Sequence, residues 1–127
     1  MTRDDLYLHE EFMLLALRED AGTVATSGSI EYPLAAAAIT ELLLQKRITL
    51  EPESGKKVKP LVRLTDSRRL GDPVLDEAIK LISEQSSRKP LTDWVRKLAR
   101  MKDLKERTAL QLCRRGILRA DEDKVLG

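Results

Sequence analysis

The sequence predicts a mainly α-helical bundle with amphipathic helices and a small β-hairpin, and three features carry that prediction. Residues 70–79 start a helix decisively. Asp72 is an N-cap residue, Pro73 sits where a missing N–H costs nothing, and Asp76 and Glu77 place negative charge near the positive end of the helix dipole. Apolar residues recur at helical spacing in further segments on both sides of it, and one pair of β-prone stretches flanks a charged turn containing glycine.

In chain order, Leu8, Phe12, Met13, Leu14, Leu15, Ala16 and Leu17, with the acidic pair Glu10-Glu11, predict a mostly buried first helix over 8–17. Glu19-Asp20-Ala21-Gly22 is turn-like, Thr23-Val24-Ala25 reads as a short strand, and Thr26-Ser27-Gly28-Ser29 as a polar loop. A second helix runs from Ile30 or Pro33 to Lys46. Leu34, Ala37, Ala38, Glu41, Leu42 and Gln45 fix its faces, four consecutive alanines permit close packing, and Lys46-Arg47 close it.

Ile48-Thr49-Leu50 and residues 58–64, separated by the charged turn 51–57, form the hairpin, with Pro60 confining the second strand to an edge. The helix that begins at Asp72 buries a stripe of Val74, Leu75, Ala78, Ile79 and Ile82 and ends near Glu84, before the linker 85–90. Residues 91–100 then combine Trp94, Val95 and Leu98 with Arg96, Lys97 and Arg100, an amphipathic helix with a cationic polar side; Trp94 is a core anchor. The last helix covers 102–115, carries Leu104, Ala109, Leu110, Leu112 and Cys113, and stops at Gly116. Ile117-Leu118 reads as a short extended piece. Residues 121–127 read as a turn and the beginning of another strand, so the chain looks like the N-terminal part of a larger fold.

Composition narrows the function classes. The 127 residues suit one domain, able to bury about two-thirds of its unfolded surface; 42% are hydrophobic and 35% charged, as in a globular chain. Lys and Arg number 23 against 21 Asp and Glu, and a net +2 is too small to specify an anionic partner by itself. Cys113 is the single cysteine and His9 the single histidine, which excludes an intrachain disulfide and a His/Cys zinc site and suits a reducing cytoplasm. Cys113 is expected to be a buried, inert thiol. The polar N-terminus carries no signal-peptide pattern and no apolar run approaches the length of a membrane span, so any membrane contact is peripheral. With no second histidine, nucleophile motif, Gly-rich phosphate loop or metal-ligand spacing, the chain reads as non-enzymatic and cofactor-free.

Leu14 to Gly22, Leu34 to Ile48, Thr65-Asp66 through Gly71-Asp72-Pro73-Val74-Leu75-Asp76-Glu77-Ala78, Asp93-Trp94-Val95, Leu104-Lys105-Glu106-Arg107 and Arg114-Arg115-Gly116-Ile117-Leu118 together, in that order and spacing, resemble the Golgi phosphoprotein 3 family. The resemblance covers nearly the whole chain and looks more like a bacterial member. It implies a helical domain that binds phosphatidylinositol 4-phosphate or other anionic phospholipid head groups, peripherally, from the cytoplasmic side. It also implies an adaptor for the tails of membrane-bound enzymes. Family domains continue beyond the point corresponding to Gly127, and a face left apolar by their absence would be covered by homo-oligomerisation.

In the family the head-group site joins an aromatic and an arginine, from the early loop and the following helix, to two arginines three positions apart on a later helix. The later pair corresponds to Lys102 and Lys105, while the arginine position holds Ala35 and the aromatic falls near Thr26 or Ser27. If both lysines lie on the helix they share a face, within reach of one phosphate, as point charges rather than planar forks. The opposing reading is a solvated face with Lys102 and Glu106 paired. Two other functions fit the pattern: a winged-helix nucleic-acid binder with Lys56-Lys57 at the wing tip, and a purely structural oligomerisation module. Residues 34–44 offer base edges almost no Arg, Asn or Gln, which makes nucleic acid the weaker partner.

Overall fold

The predicted helices and hairpin are all present in a computed structural model of the chain, which describes residues 6–19, 30–52 and 59–118. The order is α1 (Leu8–Glu19), α2 (Glu31–Leu44), β1 (Ile48–Glu51), β2 (Leu61–Leu64), α3 (Pro73–Glu84), α4 (Leu91–Ala99) and α5 (Leu104–Arg114). The strand expected at Thr23-Val24-Ala25, the loop 26–29, the Lys56-Lys57 tip of the hairpin and the segment 121–127 lie outside the described residues.

α2 is the axis of the bundle and packs against α1, α4, α3 and α5. Leu34, Ala35, Ala38, Ile39 and Leu42 are all buried on it, each leucine worth roughly 1.5–3 kcal/mol of removed apolar surface, and the small alanines let neighbouring helices approach. The positions that α2 leaves exposed, Tyr32, Pro33 and Leu44, include no Arg, Asn or Gln for base edges.

α3 starts as its sequence dictates. The Asp72 carboxylate accepts the N–H groups of Val74 (2.9 Å) and Leu75 (3.0 Å), and Asp76 reaches back to the N–H groups of Leu70 and Gly71. All five residues of the predicted stripe are buried. Trp94 on α4 is 1% exposed, the core anchor expected of it.

The hairpin is antiparallel, with Ile48 opposite Leu64 and Leu50 opposite Val62. β2 starts directly after Pro60, and its outer edge is partly covered: Val62 N–H donates to the Lys89 carbonyl at 2.8 Å, and Leu61 bridges to Pro90.

Both α2 and α5 end in Schellman turns, with C′ N–H to C2 carbonyl and C″ N–H to C3 carbonyl. After α5 these are Gly116 to Cys113 and Ile117 to Leu112, both 3.0 Å, with Gly116 at φ 75°. Ile117 and Leu118 therefore fold back on α5 rather than extending away from it. After α2 they are Lys46 to Leu43 and Arg47 to Leu42, and here a lysine holds the left-handed position, at φ 59°. A residue with a Cβ loses roughly 1–2 kcal/mol in that conformation, partly offset by the greater chain entropy of glycine. Lys46→Gly is therefore expected to raise the stability measured by urea unfolding by about 0.5–1 kcal/mol.

Three local expectations are corrected. α1 is not mostly buried by its leucines: His9, Glu10, Met13 and Ala16 face the interior, whereas Leu15 is 59% exposed. α5 begins at Leu104, two residues later than predicted, because Asp103 takes a left-handed conformation (φ 55°) that interrupts the helix. Cys113 is half-buried on the flank of α5, because Ala109 and Leu112 take the inward positions.

Candidate functional site

Arg100, Lys102 and Lys105 occupy the junction of α4 and α5. Arg100 caps α4, and the chain then dips so that Met101 is buried, rises through Lys102 and Asp103, and dips again at Leu104. The two apolar anchors fix the turn between them and leave Arg100 and Lys102 exposed, with Lys105 half-buried in the first turn of α5.

Arg107 holds the same turn from below. Its guanidinium donates to the Lys102 carbonyl and to the Pro73 carbonyl (both 3.3 Å) and pairs with the Glu77 carboxylate at 2.6 Å, tying the junction to the first turns of α3. Sequence reading gave Arg107 no such part. Its place beside buried Thr108 marks a flank of α5, but nothing in the sequence says which carbonyls it meets.

Because Lys102 precedes the helix, the two lysines do not share a regular helical face; what relates them is the turn itself. Neither they nor Arg100 make an ion pair among the described residues, and Lys102 does not pair with Glu106. Asp103 and Glu106 are the carboxylates interspersed with them in sequence. Ala35, which the resemblance aligns with an arginine, is fully buried in α2; Thr26 and Ser27 lie outside the described residues.

A second polar assembly, also missed, fastens α1 to the bundle. His9 Nε2 lies 3.2 Å from Asp72 Oδ2, with both residues buried. Glu10, fully buried, accepts the Tyr7 N–H at 3.0 Å and pairs with Arg115. Glu41 accepts the Leu8 N–H at 2.7 Å. Arg115 also lies over the Tyr7 ring, and Tyr7 stacks on His9. The spacing of His9, Met13 and Ala16 places them on one helical face, which was the available signal.

Electrostatics follow these contacts. Burial opposes ionisation of Asp72, but the hydrogen bond and attraction of His9 and the N–H groups of Leu75 and Val74 outweigh it and hold the carboxyl below the usual range. Burial, and then the Asp72 charge, push the Tyr7 hydroxyl up. The Arg68 fork holds Asp66 well below the usual carboxylate range at the surface. Among the described residues no group of His, Cys, Asp and Glu is arranged to hold a metal ion, and no helix is long and apolar enough to cross a membrane.

Comparison with known proteins places the chain in a family. The chain is 29% identical to vacuolar protein sorting-associated protein 74 of Schizosaccharomyces pombe (strain 972 / ATCC 24843) over 137 aligned residues, which cover 95% of the chain and 40% of that protein. It therefore spans about two-fifths of the length of that relative. The family profile of Golgi phosphoprotein 3 (GPP34) matches residues 8–127, from the first residue of α1 through the whole bundle. The chain belongs to the Golgi phosphoprotein 3 (GPP34) family.

Proposed function

We propose that the chain is a non-catalytic, peripheral membrane-binding module that recognises anionic phospholipid head groups, phosphatidylinositol 4-phosphate among them, through Arg100, Lys102 and Lys105. Family membership supports the reading, and one observation carries it: three cations without carboxylate partners among the described residues sit at a junction held by buried Met101 and Leu104 and by Arg107. A role as adaptor for the cytoplasmic tails of membrane enzymes belongs to the same proposal.

The chemistry sets the expected selectivity. Lysine ammonium groups attract a phosphate as point charges without the bidentate fit of guanidinium, and Ala35 contributes nothing. Binding should follow surface charge more than head-group identity, so vesicles matched in charge with phosphatidylinositol 4-phosphate or phosphatidylserine should bind within a few-fold of each other.

Flotation on vesicles tests this directly. Each basic residue near an anionic surface contributes about 1 kcal/mol, so Lys102→Glu with Lys105→Glu is expected to cost about 2 kcal/mol or more, a roughly 30-fold loss in the vesicle partition constant. Equal flotation on neutral phosphatidylcholine vesicles, or full binding by the double variant, overturns the proposal.

A further inference from the structure

We propose that α1 is a two-position element: buried charges hold its His9–Met13–Ala16 face against the bundle, and neutralising them lets the helix turn by about 100° and dock its Leu8–Phe12–Leu15 face instead.

Two stripes compete on α1. His9, Met13 and Ala16 recur at i, i+4 and i+7, and Leu8, Phe12 and Leu15 do the same one residue earlier. By apolar content alone the second stripe is the one to bury. The structure buries the first: His9 is 0% exposed, Met13 2% and Ala16 9%, whereas Leu8 and Phe12 are half-buried and Leu15 is 59% exposed. Apolar burial is forgone on this helix, so another contribution selects its face.

Charge supplies that contribution. Tyr7, His9 and Glu10 at the start of α1 meet Glu41 from α2, Asp72 at the cap of α3 and Arg115 after α5. His9 Nε2 lies 3.2 Å from Asp72, Glu10 pairs with Arg115, and the Tyr7 and Leu8 N–H groups donate to Glu10 and Glu41. A turn of one residue carries His9 away from Asp72 and Glu10 away from Arg115 together, and leaves both partners stranded. Removing either pair alone leaves the other holding the helix.

The hold is incomplete. His9 Nδ1 and Glu10 Oε2 are buried without a hydrogen-bond partner among the described residues, a desolvation cost that the other position relieves in part. After the turn each residue takes the place of the one that follows it. Glu10 then occupies the exposed place of Glu11, Leu15 the buried place of Ala16, and Leu14 the exposed place of Leu15. Each position satisfies what the other gives up, which is the condition for bistability. Shape opposes the turn, because Phe12 and Leu15 are bulkier than Met13 and Ala16.

Methyl resonances separate charge from shape. In the parent chain a soluble gadolinium chelate should broaden the Leu15 methyls more than those of Leu14. In Glu10→Gln with Asp72→Asn and Arg115→Met, the order is expected to reverse, with Leu14 broadened and Leu15 spared, and the same spectrum shows whether the variant is folded. A folded variant that keeps the parent order overturns the proposal, since shape alone then fixes the face. Broadening of both leucines with loss of the helical shifts of α1 also overturns it, because the helix is then released rather than turned. Should the triple variant unfold, Glu10→Gln with Asp72→Asn keeps Arg115 and is expected to show two sets of Leu14 and Leu15 resonances, one for each position; a single set with the parent order overturns the proposal.

Discussion

Arg115→Ala is expected to destabilise the domain by about 3–5 kcal/mol, one of the largest single losses available outside the apolar core. Glu10 is fully buried, and Arg115 is its charged partner; removing the guanidinium strands a carboxylate whose other oxygen already lacks a hydrogen bond among the described residues. The loss should come from the stranded charge rather than from the missing contact. Glu10→Gln in the Arg115→Ala background removes that charge and is expected to recover a substantial part of the stability, so that the double variant unfolds at higher urea than Arg115→Ala alone. A double variant no more stable than the single one contradicts this account. Since Arg115 follows α5 and Glu10 sits in the first turn of α1, the same measurement reports on how the first and last described helices are joined.

Asp72→Ala carries the next largest effect, about 3 kcal/mol. Loss of a helix N-cap costs about 1 kcal/mol, and leaving His9 buried without its partner adds roughly 1–3 kcal/mol. The pH dependence separates the two parts. Asp72 is held below the usual carboxylate range in the folded state, so the unfolded chain binds its proton first as pH falls. Its contribution is complete above the unfolded value, about 3.9, and is lost as pH drops through the lower folded value. Asp72→Asn keeps a capping side chain but cannot titrate. Its stability should therefore fall less steeply below about pH 4 than that of the parent chain, in urea unfolding followed by circular dichroism. An unchanged acid limb contradicts the assignment.

What could be read in the chain was whatever depends on neighbours a few residues apart. Asp72-Pro73 fixed the start of α3, the 74–82 stripe its buried face, Gly116 the end of α5, and Pro60 the start of β2; each is a local matter of capping, periodicity or a missing N–H. The ordered motifs from residue 14 to residue 118 were enough to suggest the family. The register of α1 was harder, because every residue from Phe12 to Leu17 is apolar whichever face turns inward; only the partners of His9 and Glu10 decide it.

By itself, then, the sequence determined the helices, the start of α3 at Asp72 and the end of α5 at Gly116, the hairpin and the cationic character of the α4–α5 junction, since these follow from short-range sterics and hydrogen bonding. The tertiary structure alone decided that Asp103 breaks the helix between Lys102 and Lys105, that Arg107 braces their turn against α3, that Glu51 gathers Arg63 and Arg88, and that Asp72 serves His9 as well as its own helix. Those pairings join residues from about a dozen to more than sixty positions apart or hinge on a single backbone angle, and packing selects them through burial and charge satisfaction that no local pattern encodes.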